Sequence, residues 1–171
     1  MADKYVGVNS NGQLEEVEGL QTSAGAGDAG KIPALNSAGD IDITMLPPGV
    51  GADTKSIVSS ENLTAGDYVN IWDDTGTTKV RKADASDIGK KANGFVLAGV
   101  TAPASATVYL SSVNNQLSSL TGGTVYYLDA STPGTVTATA PTATGNIVQV
   151  LGTAVSATEI PFNPEKPIIR A

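Results

Sequence analysis

The stretch "DYVNIWDDTGTTKVRK", residues 67–82, decides the fold class of this chain. Its two ends, 67–72 and 78–82, are short runs rich in β-branched and aromatic residues, which pack well on a pleated surface. Between them lies Asp-Asp-Thr-Gly, whose residue types suit a tight reversal of the backbone. The stretch therefore predicts two antiparallel strands joined as a hairpin.

The same pattern continues along the chain. Turn-forming groups separate the runs: "SVNNQ" after Leu110, "STPGT" after Asp129 and "PTATGN" before Ile147. Further strands are predicted at 94–100, 106–111, 124–129, 135–140 and 147–155. Short strands at this spacing predict an all-β domain over 56–160, built as a small antiparallel barrel or sandwich.

Composition supports this class. The 171 residues include 19 Gly and 9 Pro but only 2 Phe and 1 Trp, a balance that favours short strands and turns. One segment, 84–91, is helix-like, because Asp84 or Ser86 could cap a single turn that Gly89 ends. We expect no longer helix.

The first part of the chain contains a repeat. Residues 4–16, "KYVGVNSNGQLEE", align with residues 31–43, "KIPALNSAGDIDI", and each copy predicts two brief extended segments around an Asn-Ser-x-Gly turn. An isolated two-stranded hairpin is marginal in water, so such units gain stability by stacking on a partner. We predict that the contacts to partner chains, whether sister subunits or another protein, are made by Tyr5, Val8, Leu14, Ile32, Leu35, Ile41, Ile43, Met45 and Leu46.

Three regions follow from these patterns. Residues 1–55 are predicted to form an extended arm that carries the two repeats and docks on, or intertwines with, another chain. Residues 56–160 form the β domain. Residues 161–171, "PFNPEKPIIRA", with three prolines, are predicted to form an extended tail that lies on its own or a neighbouring subunit.

The residue types argue against an enzyme. The chain has no Cys and no His, so it lacks the commonest neutral-pH base, the commonest metal ligand and any thiol nucleophile. We therefore expect no catalytic residues, no cofactor and no metal site. A net charge of -7 disfavours nucleic acid and anionic membranes as partners. The start, "MADKYVGVNS", has no apolar signal core, so we expect no export by a cleaved signal.

A phosphate-loop spacing occurs in "GAGDAGKIPAL", residues 25–35, where Gly25, Gly30 and Lys31 match G-x-x-x-x-G-K. A working loop needs a buried strand before it, a helix after it, and Ser or Thr after the lysine. Here Ile32 follows the lysine and Pro33 comes next, so the context fails. We interpret 23–30 as a spacer and Lys31 as the first residue of the second repeat.

Acidic residues offer two further possibilities. Asp40 and Asp42, or Asp73 and Asp74, are candidate calcium ligands, but the remaining ligands of a calcium loop are absent, which favours solvated turn residues. Paired carboxylates that hydrolyse sugars would have to come from Asp73, Asp84, Asp87 and Glu159, and the sequence places no two of them across a cleft. Ordinary loop acids are the favoured interpretation.

Basic and aromatic residues leave alternatives open. Five of the ten basic residues lie within 79–91, as a docking patch for an acidic partner or, as we favour, the solvated face of a hairpin. The aromatic side chains suit either a carbohydrate platform or, as we favour, core and subunit contacts. They are Tyr68, Trp72, Tyr109, Tyr126 and Tyr127.

Three stretches carry a resemblance to a known class of proteins. "DAGKIPALNSAGDIDITMLPPGVGADT" (28–54) and "LTGGTVYYLDASTPGTVTATAPTATGNIVQVLGTAVSATEIPFNP" (120–164) resemble segments of tailed-bacteriophage virion proteins, especially capsid decoration and head-fibre proteins. The middle, 65–100, is similar to β domains of phage surface proteins. These likenesses consist of turn and strand patterns.

The resemblance implies a non-enzymatic structural protein, made in the host cytoplasm, that assembles as a homotrimer on the outer surface of a capsid. Its partners would be the major capsid protein and its own sister subunits. Related segments also occur in phage tail fibres. A tail-associated fibre, or a module that binds a receptor or a host-surface glycan, is therefore the alternative.

Overall fold

The computed structural model describes residues 4–37, 39–46 and 53–171. Among these residues there is no α-helix, and the chain is all-β, with several small antiparallel sheets and two single-turn 3-10 helices, Ala26–Asp28 and Ile43–Met45. No helix of the described ranges is long and apolar enough to cross a membrane. The chain divides into two compact units, Met1–Gly51 (unit 1) and Ala52–Ala171 (unit 2).

The strands are short, as turn-rich sequence dictates. In chain order they are β1 (Lys4–Val8), β2 (Leu14–Glu18), β3 (Thr54–Val58), β4 (Tyr68–Asp74), β5 (Thr77–Lys82), β6 (Gly94–Val96), β7 (Ser105–Tyr109), β8 (Ser112–Asn114), β9 (Val125–Leu128), β10 (Val136–Thr137), β11 (Ile147–Val148), β12 (Val150–Thr153), β13 (Ile160–Phe162) and β14 (Ile168–Ile169).

Unit 1 contains one hairpin. β1 and β2 pair antiparallel, from Lys4 opposite Glu18 to Val8 opposite Leu14, and form a sheet of two strands. The other described residues of the unit form turns and irregular segments, in which the main chain of Leu20 hydrogen-bonds to Ile32 and Ala34, on either side of Pro33.

Unit 2 is built on a five-stranded antiparallel sheet in the order β3-β7-β6-β4-β5. The predicted hairpin is its β4–β5 pair, which runs from Val69 opposite Lys82 to Asp74 opposite Thr77. Three smaller sheets, β10-β9-β12, β11-β14 and β13-β8, complete the unit. Most of the strand pairs in unit 2 join strands that are not consecutive in the chain. Consecutive hairpins therefore account for only part of the strand pairing in this unit.

Strand alternation gives the five-stranded sheet two apolar faces. One face carries Val69, Val80, Val96 and Val108, all buried in one cluster with residues of β3 and β7. The other face carries the rings of Tyr68 and Phe95, which contact Phe162 of β13 at ring-centroid distances of 5.6 Å and 5.8 Å. Leu128, Ile147 and Leu151 of the smaller sheets lie in this same aromatic cluster. The main sheet is therefore covered on this face by the smaller ones.

The structure corrects the prediction of a possible barrel. The edge strands β3 and β5 approach each other at one point, where Ser60 N donates to Val80 O at 2.9 Å. Closure requires a continuous ladder of such bonds around the sheet. Here a single parallel bridge, between Ser59 and Val80, links the two edges, so the described residues contain no closed barrel.

Two local predictions are also corrected. Segment 84–91 is not a helix: Asp84 Oδ1 does accept from Ser86 N at 2.8 Å, but Lys90 N then closes a second turn onto Asp87 O at 2.9 Å. Residues 112–114, predicted as part of a turn, form β8, because the segment Ile160–Phe162 lies opposite. The predicted tail 161–171 contributes to β13 and forms β14, which pair with β8 and β11 of the same chain.

Candidate functional site

The Asn-Ser-x-Gly turn makes equivalent hydrogen bonds through its asparagine in both repeats. In the first, Asn9 N donates to Gln13 O at 2.9 Å, and Gln13 N donates back to the Asn9 side-chain oxygen at 3.0 Å. In the second, Asn36 N donates to Asp40 O at 2.9 Å, and Asp40 N donates to the Asn36 side-chain oxygen at 3.1 Å. The predicted turn is thus confirmed in both copies.

The equivalent glycines explain why this turn recurs. Gly12 N donates to Asn9 O, and Gly39 N donates to Asn36 O, each at 3.0 Å. Gly12 has φ 75° and Gly39 has φ 85°, a left-handed conformation that other residues adopt at a cost. The asparagine supplies the acceptor and the glycine supplies the backbone, so both residue types are needed at this spacing.

Only the first copy continues from its turn into a paired hairpin. In the second copy, Leu20 N donates to Ile32 O at 2.9 Å, and Ala34 N donates to Leu20 O at 2.7 Å. The Ile32 carbonyl and the Ala34 amide point to the same side of their extended strand. In a hairpin, the returning segment pairs on that side. Leu20 therefore takes the place that the returning segment 40–44 would occupy. That segment folds instead into the 3-10 turn Ile43–Met45.

One face of the β1–β2 hairpin carries three exposed apolar side chains that no described residue of unit 1 covers. The register and the alternation of strands place Val6, Val8 and Leu14 on this face, together with the charged residues Lys4, Glu16 and Glu18. The three apolar side chains are 69%, 67% and 77% exposed. Lys4 Nζ and Glu16 Oε2 form an ion pair of 2.8 Å on this face, where Glu16 lies opposite Val6. We call this set of six side chains the hairpin face.

The predicted contact residues are mostly exposed apolar side chains. Ile32, Leu35 and Ile41 are 51–54% exposed. Tyr5, Met45 and Leu46 are half-buried, and Tyr5 lies opposite Val17 on the other face of the hairpin. The side chain of Ile43 lies outside what the structure describes. Whether these residues contact a partner stays a prediction.

Sequence reasoning missed Val6, the central residue of the hairpin face. The repeat alignment pairs it with Pro33, so the comparison of the two copies did not mark the position as apolar in both. Strict alternation along β1, with Lys4, Val6 and Val8 on one side, would have found it.

The lysine of the phosphate-loop spacing is bound by a carboxylate from the same segment. Asp28 Oδ1 accepts from Lys31 Nζ at 2.7 Å, and Asp28 Oδ2 accepts from Ala24 N at 2.7 Å. The hydrogen bond from Lys31, followed by that from the Ala24 amide, holds the pKa of Asp28 below its ordinary value. The segment is therefore a compact turn about Ala26–Asp28, where the sequence suggested a spacer. Its lysine is engaged by the turn rather than presented to a phosphate.

Four of the candidate acids are engaged in separate local turns. Asp42 Oδ1 accepts from Thr44 Oγ1 and N, bonds that lower the pKa of this carboxyl. Asp73 accepts from Gly76 N at 3.1 Å, and Glu159 accepts from Ser156 Oγ at 3.1 Å. Asp87 accepts from Gly89 N at 2.8 Å, which is the main cause of its lowered pKa. No group of three or more metal-ligating acids is found within the described ranges.

The basic segment 79–91 is largely neutralised. Lys79 pairs with Asp74 at 2.6 Å, Lys82 with Asp67 at 3.2 Å, and Lys90 with Asp87 at 3.6 Å. Arg81 stacks on the Trp72 ring, 4.5 Å from its centroid, and donates to Asn70 Oδ1 at 3.0 Å. Partnered charges of this kind support our favoured interpretation, that segment 79–91 is the solvated side of the β4–β5 hairpin, over a docking patch for an acidic partner.

The aromatic residues are mainly structural. Tyr68 and Tyr126 are buried, and the Tyr126 hydroxyl accepts from Thr121 N at 3.0 Å. Tyr109 stacks on Phe95 at 5.4 Å. These rings contribute to the core of unit 2, which supports the core interpretation over an exposed carbohydrate platform.

Comparison with known proteins assigns no family: neither a family model nor a curated protein matches this chain.

Proposed function

We propose that this chain is a non-enzymatic structural protein of a phage virion, which decorates the outer capsid surface as a head decoration or head-fibre protein. It acts by association, through contacts of its arm with the major capsid protein and contacts between its own subunits. The resemblance of its sequence to virion surface proteins motivates this proposal.

The hairpin face is the single observation that carries the proposal. Its strands form a sheet of two strands, so both outer edges of the hairpin have main-chain groups that no described residue of unit 1 pairs with. Its valines and leucine are about two-thirds or more exposed, where a solvated hairpin would carry polar residues. An element of this size gains stability from a covering partner. Main-chain pairing at the edges and apolar contact on the face are the two interactions that docking by strand addition uses.

The proposal extends to assembly and architecture. Three arms can satisfy one another's strand edges around a common axis, which is why we propose a trimer. In unit 2, the packing of the smaller sheets on the aromatic face of the main sheet supports a sandwich as the architecture. We place the protein on the outside of the virion, after synthesis in the host cytoplasm.

The test uses the full chain with Val6→Thr and Val8→Thr together. Threonine keeps the β-branched shape that suits a strand but removes apolar surface. Burial of a valine is worth about 1.5–3 kcal/mol, so loss of part of this at two sites lowers capsid affinity by at least about tenfold. Binding is measured by co-sedimentation with capsids that lack the protein and by electron microscopy of their surface.

The matched control is Val155→Thr, the same change at a valine of unit 2 that is 61% exposed. This variant is expected to occupy capsids as the unchanged protein does. Full occupancy by the Val6→Thr, Val8→Thr variant would show that the hairpin face is not the attachment surface. Density at the tail in place of the head would favour the tail-fibre alternative.

A further inference from the structure

Unit 2 contains a cavity of about 410 Å³ that the proposed attachment does not use. Four chain segments line it: the turn 64–67, Lys82 at the end of β5, residues 116–118, and the loop 132–136. Its volume falls within the range of about 300–1,000 Å³ typical of small-molecule sites. Thr64, Gln116 and Ser118 are exposed at its border, so the cavity opens to solvent.

An ion pair fixes the wall of this cavity. Asp67 is only 7% exposed, and its Oδ2 accepts from Thr64 N at 2.7 Å and pairs with Lys82 Nζ at 3.2 Å. The loop 132–136 closes against the same carboxylate, because a Cβ on Gly134 would lie 2.7 Å from Asp67 Oδ1. Asp67 thus holds three of the four segments in position, and the cavity is part of the folded architecture.

The lining combines polar and apolar surface and carries no net charge. Asp67 and Lys82 neutralise each other, and the remaining side chains of the lining are uncharged. Within the described residues, the hydroxyls of Thr64, Ser118 and Thr132 make no hydrogen bond to protein. Half-buried Leu117 and Val136 add apolar surface beside these hydroxyls. Uncharged donors and acceptors next to an apolar patch match a ligand with many hydroxyls and a C–H face.

We propose that this cavity binds a neutral sugar. A free anion would meet Asp67 and a free cation would meet Lys82, whereas vicinal hydroxyls can bond to both members of the ion pair at once. The sugar is either a free monosaccharide or the exposed end of a polysaccharide, since the cavity admits ligand from solvent. Every lining residue belongs to unit 2 and every proposed attachment residue to unit 1, so this inference is independent of capsid attachment.

The experiment titrates the full chain with D-glucose, D-galactose, D-mannose and N-acetyl-D-glucosamine, followed by ligand-observed NMR. A second arm measures retention on immobilised dextran, galactan and mannan, which separates a terminal sugar from a free one. We expect saturable binding of at least one sugar. Ser118→Trp fills the cavity and is expected to weaken that binding by at least about tenfold. The matched control Ser131→Trp lies outside the lining and is expected to change it less than about twofold.

A milder pair guards against misfolding of the tryptophan variants. Thr132→Ala removes one unpartnered hydroxyl and is expected to weaken binding by about two- to tenfold, while Ser131→Ala, one residue away, leaves it unchanged. The proposal would be overturned if none of these sugars bound saturably in either arm. It would also be overturned if Ser118→Trp and Thr132→Ala both bound the sugar as tightly as the unchanged protein does. Capsid occupancy of all four variants is expected to stay at the level of the unchanged protein.

Discussion

Tyr68→Phe removes one buried oxygen and leaves the ring in place. Tyr68 is fully buried in the aromatic cluster, 6.1 Å from Phe95 and 5.6 Å from Phe162 between ring centroids. Its hydroxyl has no hydrogen-bond partner among the described residues. Asn114, whose Nδ2 donates to Gly66 O at 2.9 Å, lies near enough to offset part of the effect of burial on the hydroxyl, but it does not come within hydrogen-bond geometry of it. The hydroxyl is therefore buried and unpaired among the described residues.

The expected magnitude follows from this unpaired group. A buried polar group without a partner costs about 1–3 kcal/mol, while the ring contacts are the same for phenylalanine. The free energy of unfolding at neutral pH is therefore expected to rise by about 1 kcal/mol in Tyr68→Phe. For a unit of this size the melting temperature rises by roughly 3–6 °C.

The difference between the two proteins should grow at high pH. Burial raises the pKa of the Tyr68 hydroxyl well above its ordinary value, so the folded protein keeps the proton when the unfolded chain begins to lose it at about pH 10. The raised pKa means that stability is complete below this pH and falls above it, by up to about 1.4 kcal/mol per pH unit. Tyr68→Phe lacks this loss, and the other tyrosines, present in both proteins, cancel in the comparison.

The assay is urea unfolding followed by fluorescence of Trp72, the single tryptophan, at neutral pH and above pH ~10. Tyr127→Phe, the same change at a half-buried tyrosine, is the control and should shift stability by less than about 0.5 kcal/mol. A loss of more than about 1 kcal/mol in Tyr68→Phe at neutral pH would refute the reasoning, because it would mean that the hydroxyl makes a stabilising hydrogen bond.

Two further substitutions test local geometry. A Cβ at position 152 would clash with Pro161 O, so Gly152→Ala is expected to lower the free energy of unfolding of unit 2 by about 2–3 kcal/mol in urea unfolding. The control Gly122→Ala, with open space around it, should change this free energy by less than about 0.5 kcal/mol. Equal effects of the two substitutions would contradict the close packing of β12 on β13. Since the hydrogen bond from Lys31 is the largest cause of the lowered pKa of Asp28, NMR titration should show that Lys31→Gln raises this pKa toward its ordinary value. The hydrogen bond from Lys31 to Asp28 stabilises the folded state at pH values above the ordinary aspartate pKa. This stabilisation is lost as the pH falls through the lowered pKa of Asp28. An unchanged Asp28 titration would mean that Lys31 does not engage the carboxylate in solution.

The sequence by itself determined the all-β class and the local reversals. The turn at Asn9 and its copy at Asn36 form as the residue types require, because each depends on one side-chain oxygen and one glycine within five residues. The β4–β5 hairpin follows from 67–82 for the same reason. In these cases the partners are close in sequence, so composition and spacing hold the necessary information.

Tertiary structure decided what pairs over long distances. Nothing local marks 112–114 as a strand; Ile160–Phe162 makes it one by supplying a partner. The ion pair of Asp67 with Lys82 and the cavity around it depend on loops that meet only after the sheets pack. The second repeat keeps its turn but loses its hairpin, because Leu20 takes the hydrogen bonds that its returning segment would have used. A local pattern specifies which conformations a segment can adopt, and competition between distant segments for the same hydrogen bonds and buried surface selects among them.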